Sequence, residues 1–155
     1  MNSRIIDMIK QRMGDEPYAR KLGLGLVLLE PGRATVEMTP QAENANLFGM
    51  THGGAIFSLI DEAFQLACNS HGTVAVALNM TVTYHRPPDM HSRLRAEAEE
   101  VHCSRRTATY EIKVVDEKEA LIATCLALAY RKGDPLPFMG GRAPVPEESE
   151  RRDAP

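Results

Sequence analysis

The 155-residue sequence predicts one α+β domain in which a long central helix lies against an antiparallel sheet of about six strands. Three observations lead to this prediction. An apolar helical pattern runs from Gly53 to Ser70, segments rich in β-branched residues lie on both sides of it, and glycine and proline mark the turns between them. The predicted element order is β-β-α-β-β-β-β.

Each element before the long helix follows from a local pattern. In residues 1–20, apolar residues at helical spacing predict a short amphipathic helix over 3–13, and Gly14, Pro17 and Gly23 interrupt it. Residues 22–40 predict two strands around the turn pair Pro31-Gly32, because apolar and polar residues alternate after the turn. A loop at 41–51 then leads into the helix.

Four more strands are predicted after Gly72, where the pattern changes from helical to strand. They cover 73–84, 92–103, 107–116 and 120–130. From Lys132 the chain is rich in Gly, Pro and Glu, so the domain is expected to span 1–132 and a tail without its own core to span 133–155.

Composition excludes several function classes. The net charge of −3, the few aromatic residues and the lack of Trp argue against nucleic-acid binding. The three cysteines are far apart and odd in number, which predicts reduced thiols, and neither Cys nor His shows metal-ligand spacing. No signal peptide and no apolar run of about 18 residues is present, so we expect a cytoplasmic protein without membrane contact.

The long helix is apolar in nearly every direction. Its polar residues form one narrow strip that consists of Ser58, Asp61, Glu62, Gln65 and Asn69. A helix with such a thin strip is largely enclosed, as in a sheet wrapped around it. Asp61 and Glu62 either mark the exposed strip or supply a carboxylate for chemistry.

The helix begins at His52-Gly53-Gly54. Unpaired backbone N–H groups and the positive end of the helix dipole lie at a helix N-terminus, where they can hold a developing negative oxygen. Glycines let a ligand carbonyl approach this backbone, although they also permit a tight entry turn. Gly53 and Asp61 are about 12 Å apart along one helix, at 1.5 Å per residue. If both act on one ligand, two antiparallel helices of a dimer must supply them, one residue each.

The sequence resembles the hotdog-fold acyl-CoA thioesterases, in particular the phenylacetate-pathway (PaaI-type) subgroup. The matching motifs lie within residues 20–131 and are Asn46–Gly54, Phe57–Asp61, Ala67–Gly72 and Tyr84–Pro87. The resemblance implies that the Gly53 N–H polarises the thioester carbonyl and that Asp61 of the partner subunit is a general base or a nucleophile. It further implies that Asn46 orients the carbonyl or the water, and that His52 braces the Asn46 loop and the helix start.

Other residues are candidates for substrate binding. Gln65 lies one turn after Asp61 on the same strip, and Phe48 and Met50 could line an acyl pocket or contact the core or a partner subunit. Coenzyme A carries phosphates, so Arg86 and the turn residues Arg105 and Arg106 are candidates for its binding; a solvated hairpin tip is the alternative.

The expected function is hydrolysis of aryl-acyl (phenylacetyl-type) or medium-chain acyl-CoA thioesters by a homodimer or dimer of dimers. Coenzyme A is then part of the substrate, and no metal or redox cofactor is expected. One alternative is an enoyl-CoA hydratase or dehydratase of the same fold, which pairs a His such as His52 with an acid. The other is a non-catalytic acyl-CoA binding protein.

Overall fold

The computed structural model describes residues 2–140, which fold into three α-helices and six β-strands. The elements are α1 (Asn2–Gly14), α2 (Pro17–Leu22), β1 (Gly25–Glu30), β2 (Arg33–Met38), α3 (Gly53–Asn69), β3 (Thr73–Tyr84), β4 (Leu94–Cys103), β5 (Thr107–Val115) and β6 (Leu121–Pro135). Short 3₁₀ turns lie at Ala42–Asn44 and Pro137–Gly140. None of the helices within this range is long and apolar enough to cross a bilayer.

The strands form one antiparallel sheet in the order β1-β2-β4-β5-β6-β3, and α3 packs across one face of it. The predicted fold class and the order β-β-α-β-β-β-β are confirmed. Because β1 and β3 are the edges of this sheet, one side of each strand pairs with no other strand of the described residues.

The core lies between α3 and the sheet. Strand β5 shows how the sequence builds it, since Ala108, Tyr110, Ile112 and Val114 alternate with more exposed residues and are at most 2% exposed. The ring of Phe64 on α3 meets Tyr110 edge to face at 5.5 Å between centroids. This packing holds α3 in place and thereby positions the side chains on its open flank.

The region between α1 and β1 differs from the prediction. Pro17 does not merely interrupt a helix but begins α2, where its fixed φ suits the first helical position. Gly23 ends α2 with a left-handed φ of 67°, and the Leu24 N–H donates to the Ala19 carbonyl at 2.9 Å. The N-terminal helical segment therefore reaches Leu22 rather than residue 20.

Ordered structure continues past residue 132, where the tail was expected to begin. Strand β6 continues to Pro135, which lies opposite Thr73 at the start of β3, and Leu136 is 4% exposed. Phe138 and Met139 also pack against the core. Pairing with β3 offsets the weak strand propensity of Gly133 and Pro135. Of the expected tail, 141–155 lies outside the described residues.

Candidate active site

The N-terminus of α3 presents one unpaired backbone donor. His52 is the N-cap residue, and its Nδ1 accepts a hydrogen bond of 2.8 Å from the Gly54 N–H. A Cβ at position 54 would lie 3.0 Å from that nitrogen, so glycine there preserves the cap. Within residues 2–140 no acceptor bonds the Gly53 N–H. The donor that the sequence singled out is thus free to hold a ligand oxygen.

The loop before α3 is organised by Asn46. Its Oδ1 accepts from the Phe48 and Met50 backbone N–H groups at 2.9 and 3.0 Å, which makes it a turn residue. No hydrogen-bond partner of Asn46 Nδ2 is found among the described residues. Leu47 and Phe48 at the loop tip are 92% and 77% exposed. The His52 ring bonds the helix start, and among the described residues no hydrogen bond joins it to the Asn46 side chain. The His52 backbone N–H donates to the Asn44 carbonyl at 2.7 Å.

A cleft of about 260 Å³ lies beside the helix start. It is lined by Thr51, Gly53, Ile56, Tyr84, His85, Arg86 and Pro87. The Tyr84 hydroxyl donates to the Gly53 carbonyl at 3.1 Å and so joins the end of β3 to the start of α3. Arg86, a predicted phosphate-binding residue, therefore lines the same cleft as Gly53. Tyr84 had no predicted role, although it begins the Tyr84–Pro87 motif and lies at the end of a strand next to Arg86.

Asp61 lies on the exposed flank of α3, two turns after Gly53. Gly54, Asp61 and Gln65 are the exposed residues of this helix. Partial burial of the carboxyl group, with the nearby charge of Glu16 second, raises the pKa of Asp61. A carboxyl group with a raised pKa is a better proton acceptor when ionised. Within one protomer the helix keeps Asp61 about 12 Å from Gly53 along its axis, so the two do not meet.

Glu62 does not belong to the exposed strip, which corrects one of the two interpretations of that strip. It is 4% exposed, and its Oε1 has no hydrogen-bond partner among the described residues. Burial first, and then Glu16 and Asp61, raises the pKa of Glu62 to about 8. Gln65 Nε2 donates to Glu16 Oε2 at 3.0 Å, so Glu16 joins both side chains to the N-terminal segment. Leu59 and Leu66, three and four residues away on the same face, were the signal for this burial.

Arg105 and Arg106 are not near Gly53. They lie in the turn between β4 and β5, at the end of the sheet where α3 finishes, whereas Arg86 lies where α3 begins. The 17 residues of α3 separate these two ends. Within one protomer, therefore, Arg86 is the predicted basic residue that the fold places beside the free N–H.

One group of described residues has the side chains for a metal site, at the far end of the sheet from Gly53. Ligand atoms of His71, Glu100 and Cys103 lie within 4.8 Å of one another. Glu100 Oε2 is already bonded, to His71 Nε2 at 2.6 Å and to the Tyr110 hydroxyl at 2.7 Å. These contacts lower the pKa of Glu100 despite its partial burial. Of the three cysteines, Cys68 and Cys125 are buried and Cys103 is half-buried.

Comparison with known proteins places these features in context. The family model of the thioesterase superfamily matches residues 48–123, which include the end of the loop, α3 and the Tyr84 cleft. The acyl-coenzyme A thioesterase PaaI of Escherichia coli is 36% identical over 119 residues, which cover 77% of this chain and 85% of that protein.

Solved structures agree with this match. The structure of E. coli PaaI from the phenylacetic acid degradation operon superposes with a TM-score of 0.82 at 30% identity, over 86% of this chain and 97% of that one. A mutant of the phenylacetic acid degradation protein PaaI from Thermus thermophilus gives a TM-score of 0.72 at 41% identity, over 75% of this chain and 99% of that one.

Proposed function

The chain belongs to the thioesterase superfamily as a PaaI-type acyl-CoA thioesterase with the hotdog fold, and on this premise we propose that its substrates are aryl-acyl or medium-chain acyl-CoA thioesters, which it hydrolyses to the free acid and coenzyme A. The observation that carries the proposal is the free Gly53 N–H at the start of α3, combined with Asp61 on the open flank of the same helix.

The proposed chemistry uses these two groups on opposite sides of the thioester carbonyl. The Gly53 N–H of one subunit donates to the carbonyl oxygen and stabilises the negative charge that develops there. Asp61 of the other subunit either removes a proton from the attacking water or attacks the carbonyl itself. In the second case a mixed anhydride forms, the coenzyme A thiolate leaves, and water then cleaves the anhydride.

This chemistry requires a homodimer, for which we propose a two-fold arrangement with antiparallel α3 helices. Strand β3 supports it, because its 12 residues form a long sheet edge with exposed Val76 and Leu78. A long apolar edge is a surface that pairs with another strand unless it is protected. If the two helices cross near Phe57, then Gly53 of one subunit lies level with Asp61 of the other, since both are four residues from that point.

The remaining residues would assist at the same site. The free Asn46 amide can donate to the carbonyl or to the attacking water, while His52 maintains the helix start that aims the Gly53 N–H. Arg86 lies at the cleft where a coenzyme A phosphate would enter. Phe48 and Met50 on the exposed loop can contact the acyl or pantetheine part once a partner covers them. We propose that no metal or redox cofactor takes part, because the backbone donor and the carboxylate supply the required stabilisation and proton transfer.

The test is thiol release from a panel of acyl-CoA thioesters by the wild type and by Asp61→Ala. We expect kcat to fall by about a thousandfold in the variant, as for loss of a nucleophile or a base together with its charge. The control is Asp89→Asn, which alters an Asp that is 83% exposed, and it should keep wild-type activity. Conversion of an enoyl-CoA without thiol release would instead favour a hydratase, and tight acyl-CoA binding without turnover would favour a binding protein.

A further inference from the structure

A second groove of about 260 Å³ runs along α3 on the side away from its N-terminus. Its walls come from α1, from α3, from the start of β3 and from the segment after β6. The apolar residues that line it are Ile9, Met13, Leu66, Val74, Leu136, Pro137 and Phe138. No described side chain fills this groove, although it is adjacent to the flank that carries Asp61.

The polar residues at the rim of the groove are mostly paired with one another. Gln65 donates to Glu16, and Asn69 bonds both the N–H and the carbonyl of Ala75. Arg12 also lines the rim and is half-buried. Because the Gln65 and Asn69 side chains are held by the protein, the interior of the groove offers mainly apolar contacts to a ligand.

The distance between Asp61 and the groove determines how long an acyl group must be to reach it. Gln65 and Asn69 follow Asp61 by one and two turns, about 6 and 12 Å along the helix axis. In the proposed dimer the N-terminus of the partner helix points in this same direction. A thioester carbonyl held beside Asp61 can therefore extend its acyl group into the groove when that group is longer than about one helical turn.

We propose that this groove binds the acyl group of the substrate, and that Val74 and Phe138 limit its length. The inference rests on the proposed function, whose site it extends. It selects phenylacetyl-type and medium-chain acyl groups over acetyl and butanoyl groups, because a short group cannot reach the apolar walls. Unexpectedly for a segment with the composition of a tail, residues 136–138 then help to determine specificity.

Filling the groove is the test, with Val74→Phe as the variant. Val101→Phe is the matched control, because it makes the same change at a position of β4 that is 58% exposed and outside the groove. We expect Val74→Phe to lower kcat/KM for phenylacetyl-CoA and octanoyl-CoA by tenfold or more, and to leave that for butanoyl-CoA within twofold. Phe138→Ala, which widens the groove, should shift the preference toward longer chains, and it serves if Val74→Phe does not fold.

A binding measurement separates this inference from the proposed function. Octanoate and phenylacetate should bind the wild type and Val101→Phe in titration calorimetry, and should bind Val74→Phe at least tenfold more weakly, whether or not any thioester is hydrolysed. Equal loss of activity toward short and long thioesters in Val74→Phe, or undiminished binding of the acids to it, would overturn the inference. Failure of the wild type to release thiol from every thioester would overturn the proposed function alone.

Discussion

Glu62 is an acidic residue in a buried environment, where a charged carboxylate is unfavourable. Its carboxyl group is buried beside Glu16, and a pKa of about 8 means that it is mostly protonated at neutral pH. A protonated Glu62 can donate a hydrogen bond to Glu16, which also accepts from Gln65. The proton on Glu62 therefore lowers the negative charge next to Asp61. Its hydrogen bond to Glu16 also connects α3 to the N-terminal segment.

The pKa of Glu62 predicts how the free energy of unfolding depends on pH. The folded state keeps a proton that the unfolded chain releases above its ordinary pKa of 4.5. The contribution of Glu62 is thus complete below pH 4.5 and is lost as the pH rises toward 8. Glu62→Gln cannot ionise and can still donate to Glu16, so it should be more stable than the wild type at pH 9 by about 1–3 kcal/mol.

Urea denaturation at pH 5 and pH 9 checks this prediction. The advantage of Glu62→Gln should shrink or vanish at pH 5, where the wild-type side chain is protonated in the folded protein. Glu111→Gln on the exposed face of β5 should show no such difference between the two pH values. An equal effect of Glu62→Gln at both values would mean that Glu62 does not titrate in this range.

At this scale the sequence predicted the positions of Gly53 and Asp61 better than the contacts around them. The place of Gly53 at the start of α3 and of Asp61 on its exposed flank was predictable, because a helix start and a helical repeat are local patterns. Besides burial, the raised pKa of Glu62 depends on Glu16, which lies 46 positions earlier in the chain, and no local pattern relates the two. The capping role of the His52 ring and the contact of Tyr84 with Gly53 likewise require the folded arrangement.

The junction between α3 and β3 shows how one residue connects three elements. Gly72 has a left-handed φ of 87°, and a Cβ there would lie 2.7 Å from Ile5 Cδ1 on α1. Next to it, the Ser70 hydroxyl accepts from the Gly32 N–H at 2.7 Å and donates to the Ala67 carbonyl at 2.6 Å. The helix end, the β1–β2 turn and α1 are therefore fixed at one point.

Gly72→Ala should destabilise the protein by about 1–3 kcal/mol, because it adds both a left-handed strain and a clash. In a protein that already carries Ile5→Ala the clash is absent. Gly72→Ala should therefore cost less stability there than in the wild type, because only the strain remains. Gly14→Ala is the control, since a Cβ there meets no atom within 4 Å. Chemical denaturation of Gly72→Ala, Ile5→Ala, the double variant and Gly14→Ala measures the coupling in the free energy of unfolding. Additive effects would show that Ile5 and Gly72 act independently.

Helices and strands with a strong period were predictable as elements, whereas two short segments were not. The α3 helix was expected over 53–70 and spans Gly53–Asn69. The α2 helix is short and begins at a proline, so its pattern resembled a break. The last part of β6 contains Gly133 and Pro135, and only its pairing with β3 makes it a strand. Long-range pairing is the information that the local sequence lacks.

The two edges of the sheet differ in what the proposed assembly requires of them. Strand β3 would lie in the dimer interface, while β1 at the opposite edge would stay exposed.

Leu78→Glu on β3 introduces a charge at a position that is 56% exposed in the protomer, and we expect a monomer without thioesterase activity but with a folded core. Val27→Glu on β1, at 54% exposure, is the matched control and should remain dimeric and active. Light scattering with size exclusion gives the mass; an active monomeric Leu78→Glu would contradict the shared site.

At the scale of the whole molecule, the proposed function requires that each site take its two reacting groups from different subunits. Gly53→Pro removes the backbone donor with little cost to the helix, because proline suits the first helical position and a Cβ there meets the Tyr84 ring only at 3.6 Å. Gly53→Pro and Asp61→Ala should each be inactive alone. After unfolding and refolding in an equal mixture, half of the dimers are hybrids with one intact site, so roughly a quarter of wild-type activity should return. Native mass spectrometry of the mixture confirms that hybrids formed. Hybrids without activity would mean that Gly53 and Asp61 serve the same subunit, which the roughly 12 Å between them along the helix makes incompatible with direct action on one carbonyl.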